Sequence, residues 1–275
     1  MTYFQAVILG IVQGITEFFP VSSSGHLVLV QKLLGIHENV LTFDIFVHFG
    51  TLLAVITVFR NSIIKIIQGC STGLKSCVKD KVPAGRVYRE SGEIRLGMGV
   101  IIGTFPAVVV GLTLKDFIES LFHSELSVYC ALFFTGCVLI GTFYTKKNIR
   151  GMGILNGFIV GLAQAVAIIP GISRSGLTIS TALFLGVDRE EAGEFSFLLA
   201  IPVISGATVL AVRDYGNAGF INLHWDVAVL GTVVSFISGW ISLSFLIRII
   251  RQGKMGYFGF YCIALAVVGA IISLF

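Results

Sequence analysis

The sequence predicts an all-α integral membrane protein with six transmembrane helices and two re-entrant helical hairpins, arranged as an inverted-topology repeat. Three observations predict it. Hydrophobic residues make up 55% of the 275 residues and charged residues only 12%, with a mean hydropathy of +0.93, whereas soluble domains carry roughly 25% charged residues. Apolar stretches that approach the about 20 residues needed to cross a bilayer recur along the whole chain. Two further stretches, Glu17 to His26 and Pro170 to Thr178, place charged and hydroxyl groups inside otherwise apolar sequence, and such groups in hydrocarbon are costly enough to be read as functional.

The first repeat is expected over 1–144. It opens with residues 1–36, too short for two crossings and broken at Pro20 and the Ser-Ser-Ser-Gly run, which read as a re-entrant hairpin. Broken backbone at membrane depth is tolerated only where protein or a water-filled cavity satisfies its polar groups. Spans follow at 43–60, 94–114 and 126–144, with a cytoplasmic loop at 61–93, too short and polar for a domain and expected to be flexible or partly helical. The second repeat, 150–275, starts with a hairpin over 152–187 broken at Pro170-Gly171 and continues with spans at 192–212, 226–248 and 256–275. GIVQGITE (Gly10 to Glu17) lies over GFIVGLAQ (Gly157 to Gln164), and Ser24-Gly25 over Ser175-Gly176 with a four-residue insertion. Gly10, Gly14, Gly157 and Gly161 are expected to serve close helix packing.

Charge placement orients the spans. Of 19 Lys and Arg, eight fall between Arg60 and Arg95, three at Lys146, Lys147 and Arg150, three at Arg248, Arg251 and Lys254, and one at Arg189. Under the positive-inside rule these face the cytoplasm. The connections 31–42, 115–125 and 213–225 hold only Lys32, Lys115 and Arg213 and are expected outside, as are both termini. The net charge of +4 then reflects topology and excludes nucleic acid as a partner. MTYFQAVILG lacks a basic leader and a cleavage site, so the N-terminus is expected to belong to the mature protein. The five cysteines form neither a disulfide framework nor a zinc pattern.

Gln13 and Glu17, four apart, share one helix face directed at whatever follows the Pro20 break. Beyond it Ser22, Ser23, Ser24 and Gly25 offer hydroxyls and free N–H groups at a helix start, a natural place for an oxyanion, with His26 in the first turn. Gly171, Ser173, Arg174, Ser175 and Gly176 repeat the arrangement, and Arg174 adds a permanently charged fork suited to phosphate. One half supplies acid and base groups, the other positive charge; a bland alternative is that Glu17 and Arg174 only neutralise each other. Asp44 and His48, also four apart, are either supporting partners of the site or an interfacial pair. Glu194 is expected to be structural.

QGITEFFPVSSSGH and PGISRSGLT together resemble the two signatures of the undecaprenyl-diphosphate phosphatase, or bacitracin-resistance protein, family, and the likeness extends over FDIFVHFGTLLAV and EFSFLLAIP. The resemblance implies hydrolysis of a C55 isoprenyl diphosphate to the monophosphate and inorganic phosphate, which recycles the lipid carrier of cell-wall synthesis. It implies a bacterial inner-membrane protein with its site open to the external face, membrane lipids as neighbours, and bacitracin as a competitor for the substrate. Its functional residues carry over to Glu17, Ser22, Ser23, His26, Ser173, Arg174 and Thr178; the first acidic position of the motif is Gln13 here. A divalent cation, Mg²⁺ or Ca²⁺, is implied by the family, but the chain offers no carboxylate cluster for a protein-only cage, so any metal is expected on the substrate phosphates. In the expected mechanism Arg174 holds the terminal phosphate, Ser23 or a water activated by Glu17 attacks phosphorus, and Glu17 and His26 share the proton work. A transporter or flippase of isoprenyl phosphate lipids could use the same midplane site, and a non-catalytic lipid-phosphate receptor would need the cradle without the base.

Overall fold

The computed structural model describes residues 1–36, 40–114, 121, 125–146, 151–215 and 224–273. Much of the expected connections 31–42, 115–125 and 213–225, with Lys115, Lys147 and Arg150, lies outside the described residues. Within them the chain is all α: α1 Tyr3–Thr16, α2 Ser23–Leu33, α3 Val40–Val58, α4 Arg60–Val78, α5 Ala84–Glu90, α6 Gly92–Thr113, α7 Glu125–Gly141 followed by a 3₁₀ turn Thr142–Tyr144, α8 Ile154–Val166, α9 Arg174–Phe184, α10 Arg189–Tyr215, α11 Trp225–Arg251 and α12 Tyr257–Ile272.

Among the described residues four helical stretches are long and apolar enough to cross a bilayer, Gly92–Thr113, Leu126–Tyr144, Arg189–Arg213 and Trp225–Arg251. Ile101 and Phe105 of α6 and Ile241 and Phe245 of α11 are more than half exposed, an apolar surface that suits lipid and not water. The chain is therefore a multi-pass membrane protein. The expected span 43–60 falls on α3, which joins α4 at a bend of 68°. The expected span 256–275 falls on α12, whose 16 residues reach ~24 Å at 1.5 Å per residue. The expected loop 61–93 is helical for most of its length, as α4 and α5.

Sequence signals place the helix starts. Thr2 accepts from the Gln5 N–H and the Gln5 side chain returns the bond, a capping box for α1. Ser91 caps α6 through the Ile94 N–H, and Ser173 caps α9 through the Gly176 N–H. The helices break where expected: α1 ends ahead of Pro20 and α8 ahead of Pro170, whose follower Gly171 has φ +91°. The Pro20 carbonyl, left without a helical partner, accepts from the Cys262 thiol at 3.4 Å. All the cysteines are free thiols.

Packing follows the glycines. α1 lies on α11, where a Cβ on Gly14 would come within 2.7 Å of backbone atoms of Ser235 and Gly239. The Ser238 and Ser242 hydroxyls donate across this seam to the Gly10 and Gly14 carbonyls at 3.2 and 2.7 Å. α8 lies on α6 in the same manner, with Gly157 against Gly99 and Gly161 against Gly103. α3 also packs on α11, and α7 on α12 through Gly136 and Gly259. Small residues permit this approach, and without it dispersion and weak hydrogen bonds across the seam are lost. A Cβ on Gly161 would sit 2.3 Å from the Gly103 carbonyl oxygen, whereas one on Gly111 would meet only Ile168 Cδ1 at 3.9 Å. Gly161→Val is accordingly expected to cost about 3 kcal/mol or more and to lower the thermal unfolding midpoint, while Gly111→Ala stays neutral or gains up to about 1 kcal/mol; equal midpoints for the two would refute the packing account.

The main core joins both halves. Phe18, from the first break, meets Phe197 of α10 edge to face at 5.9 Å, and Phe59, at the α3–α4 bend, stacks on the same ring at 5.9 Å. Leu139, Ile179, Phe195, Leu199, Leu243 and Leu246 complete it, all essentially without solvent contact.

Candidate active site

The two breaks meet. A Cβ on Gly176, in the first turn of α9, would lie 3.1 Å from Pro20 Cβ. Glu17, the residue that ends α1, therefore faces the start of α9 as well as that of α2. Its Oε1 accepts a hydrogen bond from Arg174 Nη2, and its Oε2 accepts from Gln13 Nε2 at 3.0 Å and from Ser23 Oγ at 2.7 Å. His48 Nε2 stands 3.7 Å from Oε2. The Glu17 side chain is 6% exposed and that of Arg174 20%. A charge this deep requires a partner, and the guanidinium opposite satisfies that requirement.

Two polar groups at this point keep unused capacity. Arg174 Nη1 and Gln13 Oε1 are buried and have no hydrogen-bond partner among the described residues. On α8, both amide atoms of Gln164, the residue aligned with Glu17 in the second half, are also buried without a partner among the described residues. Buried polar atoms are nearly always paired, so open ones call for an explanation such as a ligand or water.

The remaining expected residues divide. Ser22 begins α2 with φ +68°, a region costly for any side chain. Its carbonyl accepts from His26 Nδ1 at 2.8 Å, and its hydroxyl lies 3.4 Å from that of Ser24. Since a carbonyl only accepts, His26 Nδ1 carries a proton; in the neutral ring Nε2 is then an acceptor, and the Tyr261 hydroxyl sits 2.7 Å from it. His26 is thus turned to α12, and His48 is the imidazole with a recorded contact to Glu17. His48 Nδ1 donates to the Asp44 carbonyl at 2.7 Å, and Asp44 Oδ1 accepts from Gln31 Nε2 at 2.8 Å. His48 thus links Glu17 to the Asp44 backbone, while the Asp44 side chain is held by Gln31.

In the second half the Ser173 N–H donates to Thr135 Oγ1 at 3.2 Å and its hydroxyl caps Gly176. The Ser175 hydroxyl lies 3.3 Å from that of Ser173. Thr178 is fully buried, with its hydroxyl 2.6 Å from that of Ser196 on α10, a brace between helices. Gly171 packs against Val128 of α7, where a Cβ would lie 2.5 Å from the carbonyl oxygen; its role there is close packing. A Cβ on Gly25 would meet nothing nearer than 3.7 Å. Thr135, Ser196 and Tyr261 escaped sequence reasoning because each is a polar residue within a span whose partner lies many residues away, and Gln31 because its partner Asp44 lies beyond the end of α2. Glu194 is half-buried in the first turns of α10.

Ile15 and Phe19 join Ile241 and Phe245 of α11 around an apolar groove of about 300 Å³. Among the described residues no group of three or more His, Cys, Asp or Glu could hold a metal ion. One carboxylate already bound to an arginine, an amide oxygen and serine hydroxyls do not fit a protein-only divalent-cation cage, which takes six or more oxygens.

The family described as Bacitracin resistance protein BacA matches residues 6–268. The chain belongs to this family. It is 42% identical over 266 residues to the undecaprenyl-diphosphatase of Carboxydothermus hydrogenoformans, covering 95% of this chain and 94% of that protein. It is 40% identical to the undecaprenyl-diphosphatase of Desulforapulum autotrophicum and 41% identical to that of Korarchaeum cryptofilum, with 98% of each chain covered in both comparisons. Both signature stretches, and thus Glu17, Ser23 and Arg174, lie inside the matched region.

Proposed function

We propose that this chain hydrolyses undecaprenyl diphosphate to undecaprenyl phosphate and inorganic phosphate at the junction of the two breaks. The observation that carries the reading is the single carboxylate of Glu17 bonded at once to a serine hydroxyl and to an arginine. A nucleophile within hydrogen-bond reach of a base, with a cationic fork beside it, is the minimum set for phosphoryl transfer. Pure binding of a lipid phosphate needs the fork but not the base. Family membership and the named relatives support the same substrate.

Arg174 Nη1, open in the structure, takes the terminal phosphate while Nη2 stays on Glu17. Ser23 Oγ attacks the terminal phosphorus in line and its proton passes to Glu17. The bond from phosphorus to the bridging oxygen breaks, undecaprenyl phosphate leaves, and water then hydrolyses the phosphoserine to release inorganic phosphate. His48 Nε2, 3.7 Å from Glu17 Oε2, is placed to relay that proton. His26 holds the strained Ser22 turn, and its Nε2 becomes available as a base when the Tyr261 bond opens. Gln13 orients Glu17 through its amide. A water activated directly by Glu17 is the competing nucleophile. Any Mg²⁺ or Ca²⁺ arrives on the diphosphate, and no step above depends on it. The apolar groove beside Ile15 and Phe19 offers the isoprenyl chain a seat next to the break.

The architecture proposed with this function is six crossings plus two re-entrant hairpins, with the site open to the external face of a bacterial inner membrane. The exchange of packing partners supports it: α1 rests on α11 as α8 rests on α6, the pairing that two inverted halves require. Phosphate release from the purified chain in detergent tests the function, since no membrane is there to cross. Steady release is expected; none from well-folded protein would favour the carrier. In the same assay Ser23→Ala is expected to lose at least about 10²-fold, and full activity would make water the nucleophile.

A further inference from the structure

α4 carries a pattern that the site does not use. At 3.6 residues per turn it divides lengthwise into three sectors. Ile66, Gly69 and Gly73 form the first and pack on the opening turns of α6, where a Cβ on Gly73 would lie 2.6 Å from Ile94 Cδ1 and one on Gly97 2.7 Å from Ile66 Cγ2. The second is an apolar row, in which Ile64, Ile67, Leu74 and Val78 are 49%, 63%, 68% and 74% exposed. The third, Lys65, Gln68, Thr72, Lys75 and Lys79, is polar, basic and exposed throughout.

Position adds to pattern. α4 leaves α3 at 68° and meets α6 at Glu93, Ile94 and Gly97, in the first turns of the apolar stretch Gly92–Thr113. A helix bent so steeply away from its apolar neighbour, beside the end of a span, is suited to lie near the membrane plane. An apolar row beside a basic row matches the two layers found there, acyl chains and phosphate headgroups. A second protein covering the apolar row would leave Lys75 and Lys79 facing no anionic layer.

We propose that α4 is an interfacial helix, with Ile64, Ile67, Leu74 and Val78 in the acyl layer and Lys65, Lys75 and Lys79 on the headgroups of anionic phospholipids. None of these residues belongs to the proposed site, so the test does not depend on the function assigned above.

The test uses the full chain in lipid nanodiscs, with Trp225→Phe and Trp240→Phe to silence the native indoles and either Ile67→Trp or Gln68→Trp added. Gel filtration and thermal unfolding establish that each variant is folded; should Ile67→Trp fail to insert, Ile64→Trp on the same row is read in its place. Fluorescence from Ile67→Trp is expected to fall at least about twofold with acyl-brominated phospholipid and hardly at all with acrylamide, and the reverse is expected for Gln68→Trp. Quenching of Ile67→Trp by acrylamide, or by neither agent, would overturn the proposal, the latter because protein then covers the row. In nanodiscs mixing phosphatidylglycerol with phosphatidylcholine, the combined Lys65→Gln, Lys75→Gln and Lys79→Gln variant is expected to lose at least about fivefold of its enrichment in phosphatidylglycerol. Unchanged enrichment would refute the headgroup contact.

Discussion

Arg174→Ala is expected to reduce phosphate release by about 10³-fold or more, the scale on which a cationic fork stabilises a phosphoryl transition state. Its Nη1 is a buried donor without a partner among the described residues, the one proposed above to take the terminal phosphate, and Nη2 holds the Glu17 carboxylate. Removing it also strands Glu17, 6% exposed, as an unpaired buried charge, which costs about 3 to 5 kcal/mol. The unfolding midpoint should therefore fall together with activity, and Arg174→Lys separates the two effects. Lysine restores a charge near Glu17 but not the planar fork, so the midpoint should largely recover while turnover stays depressed. Recovery of turnover in step with stability would mean that the pair is structural, and near-normal activity in Arg174→Ala would remove Arg174 from the site altogether.

Glu17→Gln is expected to cost about 10² to 10⁴ in turnover, the usual contribution of a positioned base. The amide keeps the shape and can still receive the Gln13 and Ser23 hydrogen bonds through its oxygen, so substrate affinity should change far less than turnover. It cannot take the serine proton. A Glu17→Gln enzyme with wild-type turnover in detergent would eliminate the base role and, with it, the proton path through His48. His48→Asn provides the graded comparison: its Nε2 is 3.7 Å from the carboxylate, beyond a direct hydrogen bond, so a loss of about tenfold is expected, smaller than for Glu17.

Much of the site was legible because buried charge is rare in lipid. Glu17 and Arg174, separated by 157 positions, each stood out alone, and their opposite charges made a meeting at one ligand the natural expectation. Gln13 and Ser23 followed from spacing and the Pro20 break. The partnership of His26 was not legible. Its place one turn into α2 suggested work beside Glu17, yet the ring turns to Tyr261, a residue no local pattern connects with it. His48, singled out in the sequence only for its spacing from Asp44, reaches Glu17 because α3 packs on α1. Thr178 reads from its motif as a phosphate contact, but its hydroxyl is held by Ser196.

Sequence alone determined the membrane class, the helix breaks at Pro20 and Pro170, and the residue types able to handle a phosphate. Each of these is a local property, since hydropathy, proline geometry and the cost of a buried charge act within a few residues. Tertiary structure alone decided which groups share a carboxylate, that the 61–93 connection is two helices with one folded back against α6, and which glycines line seams and which stand in open space. Those outcomes depend on how α1, α3, α8 and α9 cross, and the crossings are set by packing between segments that no local pattern connects, from about twenty to more than two hundred residues apart.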